Sequence, residues 1–122
     1  MDNKQQDIIT MFNKIAKTYD IANRILSVGI DKTWRKTACN LSFKLYNKEK
    51  LTKIVDVACG TGDLMIDWDN IAKQNGIIVN DIIGIDPSVG MMEVGKTKIP
   101  NRTFIEAGAE DLPLKNNSVD II

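Results

Sequence analysis

Histidine is absent from the 122 residues. Its absence removes the side chain that serves most often as a general base and as a metal ligand, so no metal site is predicted. Cysteine occurs only twice, at Cys39 and Cys59, which is too few for a disulfide framework. A reducing, cytoplasmic location is therefore expected.

The chain has no net charge, because its sixteen basic and sixteen acidic side chains cancel. This balance gives no electrostatic reason to expect nucleic acid or an anionic membrane surface as a partner. No apolar run approaches the roughly 20 residues of a membrane-spanning helix, and residues 1–7 are too polar for a signal peptide. A chain of this length forms one domain at most.

A strand, a glycine turn and the start of a helix are predicted within residues 53–63. A β-branched apolar run that ends at Val57 is typical of a buried strand. Gly60 and Gly62 follow it, and without a Cβ they allow a sharp turn at which a ligand can lie against the main chain at a helix N-terminus. The pattern predicts a nucleotide-type pocket.

The residues around the turn discriminate between ligand classes. A phosphate-binding loop would continue with lysine and serine or threonine, whereas Gly62 is followed by Asp63. A dinucleotide fingerprint would have a small residue where this chain has Met65. Carboxylates at Asp56 and Asp63 would repel a pyrophosphate but suit a ligand with an ammonium and a sulfonium, such as S-adenosylmethionine. A glycine turn without any ligand is the competing interpretation.

The first 50 residues are predicted to be helical. Apolar residues at spacings of three and four indicate an amphipathic helix over residues 4–18. A second, short helix is predicted to carry Ile25, Leu26 and Val28 and to end at Gly29. Asp31 is predicted to cap a third helix.

Alternating strands and helices after residue 50 predict an α/β fold with a parallel sheet and crossover helices. Because the chain ends as a fourth strand opens, residues 51–122 are expected to be the first half of a larger core, within a single domain 1–122. The predicted elements are a helix at 64–74 ended by Asn75 and Gly76, a strand at 81–86, a helix from Pro87 and Ser88, a strand at 103–105 and a strand opening at 119–122.

Three segments carry a resemblance to a known family. Residues 56–63, Asp-Val-Ala-Cys-Gly-Thr-Gly-Asp, resemble motif I of class I S-adenosylmethionine-dependent methyltransferases. Residues 107–113, Ala-Gly-Ala-Glu-Asp-Leu-Pro, are similar to a segment of the UbiE/COQ5 quinone-biosynthesis C-methyltransferases. Residues 12–20, Phe-Asn-Lys-Ile-Ala-Lys-Thr-Tyr-Asp, also resemble the signature of that family. The resemblance continues at Asn23, Ser27, Gly29, Ile30, Trp34 and Arg35.

The resemblance spans nearly all of the chain and departs from the family at three places. Ala58 stands where methyltransferases at large often have glycine, although this subfamily tolerates alanine. The stretch between Gly76 and Asp81 is longer, and the chain stops where the family continues. The fold implied is the N-terminal part of the class I methyltransferase fold, which is Rossmann-like with a doubly wound, mostly parallel sheet. Residues 1–50 would form a helical lid over the cofactor and the quinol ring.

The resemblance implies that S-adenosylmethionine binds at the glycine turn. Thr61 would contact its methionine portion, and Gly60 and Gly62 would allow close backbone approach. Asp56, from the charge argument above, would complement its ammonium and sulfonium.

The adenosine portion is assigned to the ends of the next two strands. Asp86 would accept hydrogen bonds from the ribose hydroxyls, since a carboxylate accepts two donors at once; the alternative is a helix N-cap before residues 87–88. Gly108 and Ala109 would face the adenine ring, and the alternative there is an ordinary small-residue turn.

No catalytic base is identifiable from the sequence. Tyr19 and Asp20 are the local candidates, although a structural corner between two helices is the competing interpretation. Trp34 and Arg35 carry the same ambiguity, since Trp34 could anchor the third helix. Cys59 has no histidine or cysteine neighbour that would activate it as a nucleophile.

The implied reaction is C-methylation of a prenylated quinol, such as demethylmenaquinol to menaquinol, in menaquinone or ubiquinone biosynthesis. The prenyl tail is a reason to expect peripheral contact with the inner face of the membrane, and a homo-oligomer is a further open expectation. The alternatives are another class I small-molecule methyltransferase, a nucleotide-dependent oxidoreductase and a cofactor-binding fragment. The 122 residues alone are expected to be inactive.

Overall fold

The computed structural model describes residues 3–27 and 30–122, with residues 21–27 described by their backbone alone. Two helices precede an alternation of strands and helices, as an α/β fold requires. In chain order the elements are α1 (Asn3–Ser27), α2 (Ile30–Tyr46), β1 (Lys50–Val57), α3 (Asp63–Gln74), β2 (Ile78–Asp86), α4 (Val89–Lys98) and β3 (Thr103–Glu106).

The three strands form a parallel sheet in the order β1-β2-β3. On the other edge of β1, Ile121 forms a parallel bridge with Ile54, and the N–H of Val55 donates to the Ile121 carbonyl at 2.9 Å. The strand order therefore switches at β1: β2 and β3 lie on one side of it, and the later residue Ile121 lies on the other. Such a switch opens a crevice at the carboxyl ends of the strands, where open α/β sheets bind ligands. The predicted fold class is confirmed.

The core lies between this sheet and the helices that cover it. Ile54 and Val55 of β1 and Val79, Ile82 and Ile85 of β2 are buried, as expected of a parallel sheet that is covered on both faces. Phe43 of α2 meets Trp68 of α3 edge to face at 5.1 Å between centroids, which joins these two helices over the sheet. The largest fully buried side chains are those of Leu51, Ile54, Met65, Ile82, Ile85 and Cys39.

Helix boundaries differ from the sequence prediction near the N-terminus. The predicted break after residue 18 is wrong, because α1 is one helix of 25 residues that includes Ile25 and Leu26. The predicted end at Val28 and Gly29 lies outside the described residues. Asp31 does not cap the third helix either, since α2 begins at Ile30 and Asp31 lies in its first turn.

The C-terminal elements follow the prediction more closely. Asn75 ends α3 and Gly76 follows with a φ of +66°, as the sequence indicated. The strand predicted at 81–86 begins three residues earlier, at Ile78, and therefore takes in part of the stretch that departs from the family pattern. Ser88 is the N-cap of α4, and its hydroxyl accepts from the N–H of Met91 at 3.2 Å.

Trp34 does not anchor α2, because 73% of its surface is exposed. Ile30, Leu41 and Leu45 are exposed on the same side of the helix, at four, seven and eleven residues from Trp34. These four residues form the apolar stripe of α2. Cys39 and Phe43, on the opposite side, make the packing contacts. Within the described residues, no helix is long and apolar enough to cross a membrane.

Candidate functional site

The turn between β1 and α3 has three residues in the left-handed region: Ala58 (φ +60°), Gly60 (φ +56°) and Gly62 (φ +85°). Glycine adopts this conformation readily, whereas alanine does so at a cost. Gly62 is the N-cap of α3, and no side chain caps the helix. The first turn of α3 therefore presents backbone N–H groups without a side-chain acceptor, as expected where a ligand binds.

A glycine of β2 lets this turn lie close on the sheet. A Cβ on Gly84 would be 2.6 Å from the sulfur of Met65 and 2.7 Å from the sulfur of Cys59. The Cys59 thiol is buried in this contact, and burial together with the nearby Asp56 carboxylate raises its pKa to about 12. Cys59 is therefore a packing residue, in agreement with its lack of an activating neighbour in the sequence.

Two adjoining cavities flank the turn, and Tyr19, Ala58 and Gly60 line both. One, of about 240 Å³, is here called the apolar cavity. The other, of about 190 Å³, is here called the acidic cavity. The apolar cavity is also lined by Ile8, Ile9, Phe12, Asp86, Pro87, Ser88 and Met91, and the acidic cavity by Arg35, Asp56, Cys59, Thr61, Asp63 and Leu64.

Helix α1 forms one wall of the apolar cavity, as a lid would. Its position is fixed by Asn13, whose side-chain oxygen accepts from the N–H of Gly90 at 2.9 Å and from the hydroxyl of Ser88 at 2.6 Å. Gly90 makes this approach feasible, since a Cβ there would lie 2.9 Å from the Cα of Asn13. Sequence reasoning placed Asn13 within the family signature without giving it a role.

Asp86 lies at the end of β2 in the apolar cavity and is 8% exposed. One carboxylate oxygen accepts from the N–H of Gly60 at 2.9 Å, and the other accepts from the N–H of Ser88 at 2.8 Å. The N-cap alternative is wrong, because Ser88 caps α4. Each carboxylate oxygen accepts about two hydrogen bonds, so Asp86 retains capacity for ligand hydroxyls while it fixes the turn.

Asp56 places a buried carboxylate oxygen in the acidic cavity. Its Oδ2 atom is buried and makes no hydrogen bond within the described part of the chain. Burial, and secondarily the negative charge of Asp86, raises its pKa to about 6. A cation in the cavity would compensate this buried charge.

Lys98 of α4 connects the lid to the glycine turn. Its ammonium donates to Asp20 at 2.6 Å, to Asp63 at 2.7 Å and to the Thr61 hydroxyl at 3.0 Å. Thr61 in turn donates to Asp20 at 2.6 Å. The structure therefore brings Asp20, Thr61 and Asp63 together through a residue that sequence reasoning missed.

The catalytic candidates occupy different positions. Tyr19 lies where the two cavities meet, with its ring 6.1 Å from that of Phe12 in an edge contact. The carboxylate of Asp20 is engaged by Thr61 and Lys98 and is not among the residues that line either cavity. Of the two, Tyr19 is the one placed to touch a ligand.

Gly108 and Ala109 lie beyond β3 and line neither the apolar nor the acidic cavity. The segment adjoins the site through the backbone, because the N–H of Ala107 donates to the carbonyl of Asp86 at 3.3 Å. The structure therefore brings Thr61, Asp86, Asp56 and the turn glycines together, with Gly108 and Ala109 beside them. The adenine role of these two residues stays a prediction.

Comparison with protein families gives one match over the whole chain: a profile of the ubiE/COQ5 methyltransferase family covers residues 1–122. The ubiquinone/menaquinone biosynthesis C-methyltransferase UbiE of Campylobacter jejuni is 55% identical over 119 residues, which are 98% of this chain and 50% of that protein. The demethylmenaquinone methyltransferase of Chlorobaculum tepidum is 38% identical over 97% of this chain and 46% of that protein. The chain thus spans about half the length of the curated relatives it matches.

Solved structures share the fold at low sequence identity. An S-adenosylmethionine-dependent methyltransferase from Clostridium acetobutylicum matches with a TM-score of 0.63 at 15% identity, covering 81% of this chain and 39% of that one. DesVI from Streptomyces venezuelae matches with a TM-score of 0.59 at 22% identity, covering 81% and 38%. At such identities the likeness shows the fold alone.

Proposed function

Because the chain belongs to the ubiE/COQ5 methyltransferase family, we propose that it supplies the S-adenosylmethionine site of a C-methyltransferase acting on a prenylated quinol. The observation that carries this proposal is the pairing of an apolar cavity, closed by α1 and bearing Asp86, with an acidic cavity bearing Asp56 across one glycine turn. The names of the relatives from Campylobacter jejuni and Chlorobaculum tepidum support the quinol as substrate.

The residues present fit the chemistry of S-adenosylmethionine. The faces of its adenine ring are flat and suit the apolar cavity, and its two ribose hydroxyls suit Asp86 at the wall of that cavity. Its ammonium and sulfonium are cationic and match the acidic cavity, where the unpartnered Oδ2 of Asp56 is buried. Together the cavities have a volume within the range of about 300–1,000 Å³ typical of small-molecule sites.

The reaction would consist of in-line attack by a quinol ring carbon on the methyl group that the bound cofactor supplies. The residues of this chain would contribute mainly by positioning and by excluding water. Asp86 and the turn at Gly60 and Gly62 would orient the cofactor, and the apolar side of α1 would close over it. Tyr19, at the junction of the cavities, is our candidate for contact with the reacting groups.

A peripheral encounter with the membrane is also part of this proposal, because the substrate carries a prenyl tail. The apolar stripe of α2 (Ile30, Trp34, Leu41, Leu45) supports it, since Trp34 and Leu45 are 73% and 76% exposed. Exposed lysines on the same helix, Lys32, Lys36 and Lys44, would favour anionic lipid. We propose a cytoplasmic protein that meets the inner face of the membrane through this stripe, in keeping with the two free cysteines.

The membrane proposal is tested by flotation with vesicles of phosphatidylcholine and phosphatidylglycerol. Trp34→Ser should reduce the floated fraction, and Thr33→Ser, an exposed neighbour outside the stripe, should not. If the stripe instead joins two copies in a homo-oligomer, light scattering should give a dimer mass that Trp34→Ser reduces, with no flotation.

The cofactor proposal is tested by calorimetry with S-adenosylhomocysteine and with NADH. We expect S-adenosylhomocysteine to bind and NADH not to bind, because a pyrophosphate would meet Asp56 and Asp63. Binding of NADH alone would favour the oxidoreductase instead. Binding of neither ligand would contradict a cofactor site in these residues.

Turnover is tested by transfer of a labelled methyl group from S-adenosylmethionine to a short-chain demethylmenaquinol. We expect the 122 residues to bind the cofactor without turnover, and a fusion to the unmatched half of the Campylobacter jejuni relative to gain it. The reason is that the proposal assigns both cavities to the cofactor, which leaves the quinol to be positioned elsewhere. Equal turnover by both proteins would show that the catalytic groups all lie in this chain.

A further inference from the structure

Arg35 is the basic side chain on the walls of the two cavities. Among the described residues that line them, it alone carries a positive charge, and it lies in the acidic cavity with Asp56 and Asp63. It reaches this position from α2, and its side chain is 20% exposed. A cation held this far from solvent meets a ligand with little screening.

The guanidinium of Arg35 is only partly engaged by the protein. Its Nε donates to Asp67 at 2.8 Å, and its Nη1 donates to Asp31 at 2.8 Å. Its Nη2 lies 4.0 Å from the nearest oxygen of Asp63, which is beyond hydrogen-bond reach. Within the described residues, Nη2 therefore has no acceptor.

Arg102 shows what a fully structural arginine looks like in the same molecule. Its Nε and Nη2 donate to Asp69 of α3, and its Nη1 donates to the carbonyl of Asn80 at 2.9 Å. Every nitrogen of that guanidinium has a partner, and Arg102 lines neither cavity. Arg35 resembles Arg102 in joining α3 to a neighbouring element but differs in its Nη2, for which the described part of the chain offers no acceptor.

The proposed ligand supplies the missing acceptor. Its amino-acid end carries an ammonium, which suits Asp56, and also a carboxylate, which Asp56 and Asp63 would repel. We infer that Nη2 of Arg35 binds the carboxylate of the methionine portion, so that the acidic cavity recognises both charges of the amino acid. This inference rests on the proposed function, and it makes Arg35 a binding residue in addition to a link between α2 and α3. An arginine held by two carboxylates is pre-organised for such a contact.

The test compares two ligands that differ in the carboxylate alone. S-Adenosylhomocysteine carries both charges, whereas S-adenosyl-3-thiopropylamine keeps the ammonium and lacks the carboxylate. By calorimetry the unsubstituted chain should bind S-adenosylhomocysteine about 10- to 100-fold more tightly, the usual effect of a charge-assisted hydrogen bond. Arg35→Gln should bring the affinity for S-adenosylhomocysteine down to that for the amine.

Two further variants separate recognition from folding. Arg35→Lys keeps the charge and should preserve part of the preference for the carboxylate ligand. Arg102→Gln removes a comparable arginine away from the cavities and should leave the preference unchanged.

The possible failures are distinguishable. No preference in the unsubstituted chain would overturn the inference whether or not Arg35→Gln folds, because the carboxylate would then be left to solvent. A preference that a folded Arg35→Gln variant keeps in full would also overturn it, because the N–H groups of α3 would then bind the carboxylate. Equal weakening of both ligands by Arg35→Gln would assign Arg35 a purely structural role. Failure of the unsubstituted chain to bind S-adenosylhomocysteine would overturn the proposed function and the inference with it.

Discussion

Lys98 and Asp20 lie 2.6 Å apart, from Nζ to Oδ2, although 78 residues separate them in the chain. This contact joins the last turn of α4 to α1, and the same ammonium reaches Thr61 and Asp63 of the glycine turn. One side chain therefore sets the distance between the lid helix and the turn that lines both cavities.

Replacing Lys98 by methionine should lower the free energy of unfolding by about 1–2 kcal/mol, because Asp20 and Asp63 would each lose a charged partner in a half-buried setting. Urea denaturation followed by circular dichroism would measure the loss. Lys96→Met, an exposed lysine of the same helix turn, is the matched control and should change stability little. Equal stability of the two variants would show that the Lys98 contacts contribute nothing measurable.

Replacing Asp86 by alanine should weaken S-adenosylhomocysteine binding by about 1.5–3 kcal/mol, the usual cost of losing hydrogen bonds to a charged acceptor. Part of this loss would come from the turn, since Asp86 also accepts from the N–H of Gly60. Calorimetry would measure it, with Asp81→Ala, an exposed acid on the same strand, as the control. Unchanged affinity in a folded Asp86→Ala variant would rule out the ribose assignment.

Asp56 should make stability fall as pH rises between about 4 and 6. Burial raises its pKa to about 6 in the folded chain, so over this window the folded state holds a proton that the unfolded state releases, and unfolding gains from deprotonation. The total effect should be about 2–3 kcal/mol. Urea denaturation at pH 4.5 and pH 7.5 would measure this loss of stability. Asp56→Asn should remove the pH dependence, and at pH 7.5 the variant should be more stable than the unsubstituted chain.

Ligand affinity should change with pH in the opposite sense. An ammonium favours the ionised carboxylate, so S-adenosylhomocysteine should bind more tightly as pH rises through about 6. The same rise in Asp56→Asn would assign the effect to another group.

Replacing Ala58 by glycine should stabilise the chain by about 1 kcal/mol, because alanine at a φ of +60° is held in the left-handed region. Thermal denaturation would show an increase in Tm. Ala38→Gly, in the exposed middle of α2, is the counterpart and should destabilise by a similar amount. A loss of stability in both variants would mean that Ala58 is not strained.

The sequence predicts the part of the site that depends on local patterns. A β-branched strand, two glycines and a helix start are adjacent in the chain, so the turn at Gly60 and Gly62 could be placed from the sequence, as could Asp86 at the end of the next strand. The role of Lys98 could not be predicted, because lysine is common in the last turn of a helix, where its charge interacts favourably with the helix dipole. Its partners are 35 to 78 residues away.

The wrong predictions also have physical reasons. The predicted break in α1 fell in residues 19–24, which contain neither glycine nor proline, and the helix therefore continues. The sequence leaves open whether Trp34 anchors α2, and the helix has apolar residues on two sides. Only tertiary contacts show that the side with Cys39 and Phe43 packs inward, and that the side with Trp34 faces outward.

Helix α1 packs chiefly against α4 and, less extensively, against α2. It can therefore undock as a local unfolding event that leaves the pairing of β1, β2 and β3 intact. Such an event would open the apolar cavity, since α1 forms one of its walls. Cofactor binding and helix docking would then be a single coupled equilibrium, in which a bound ligand slows amide hydrogen exchange throughout α1 and changes it little in β1.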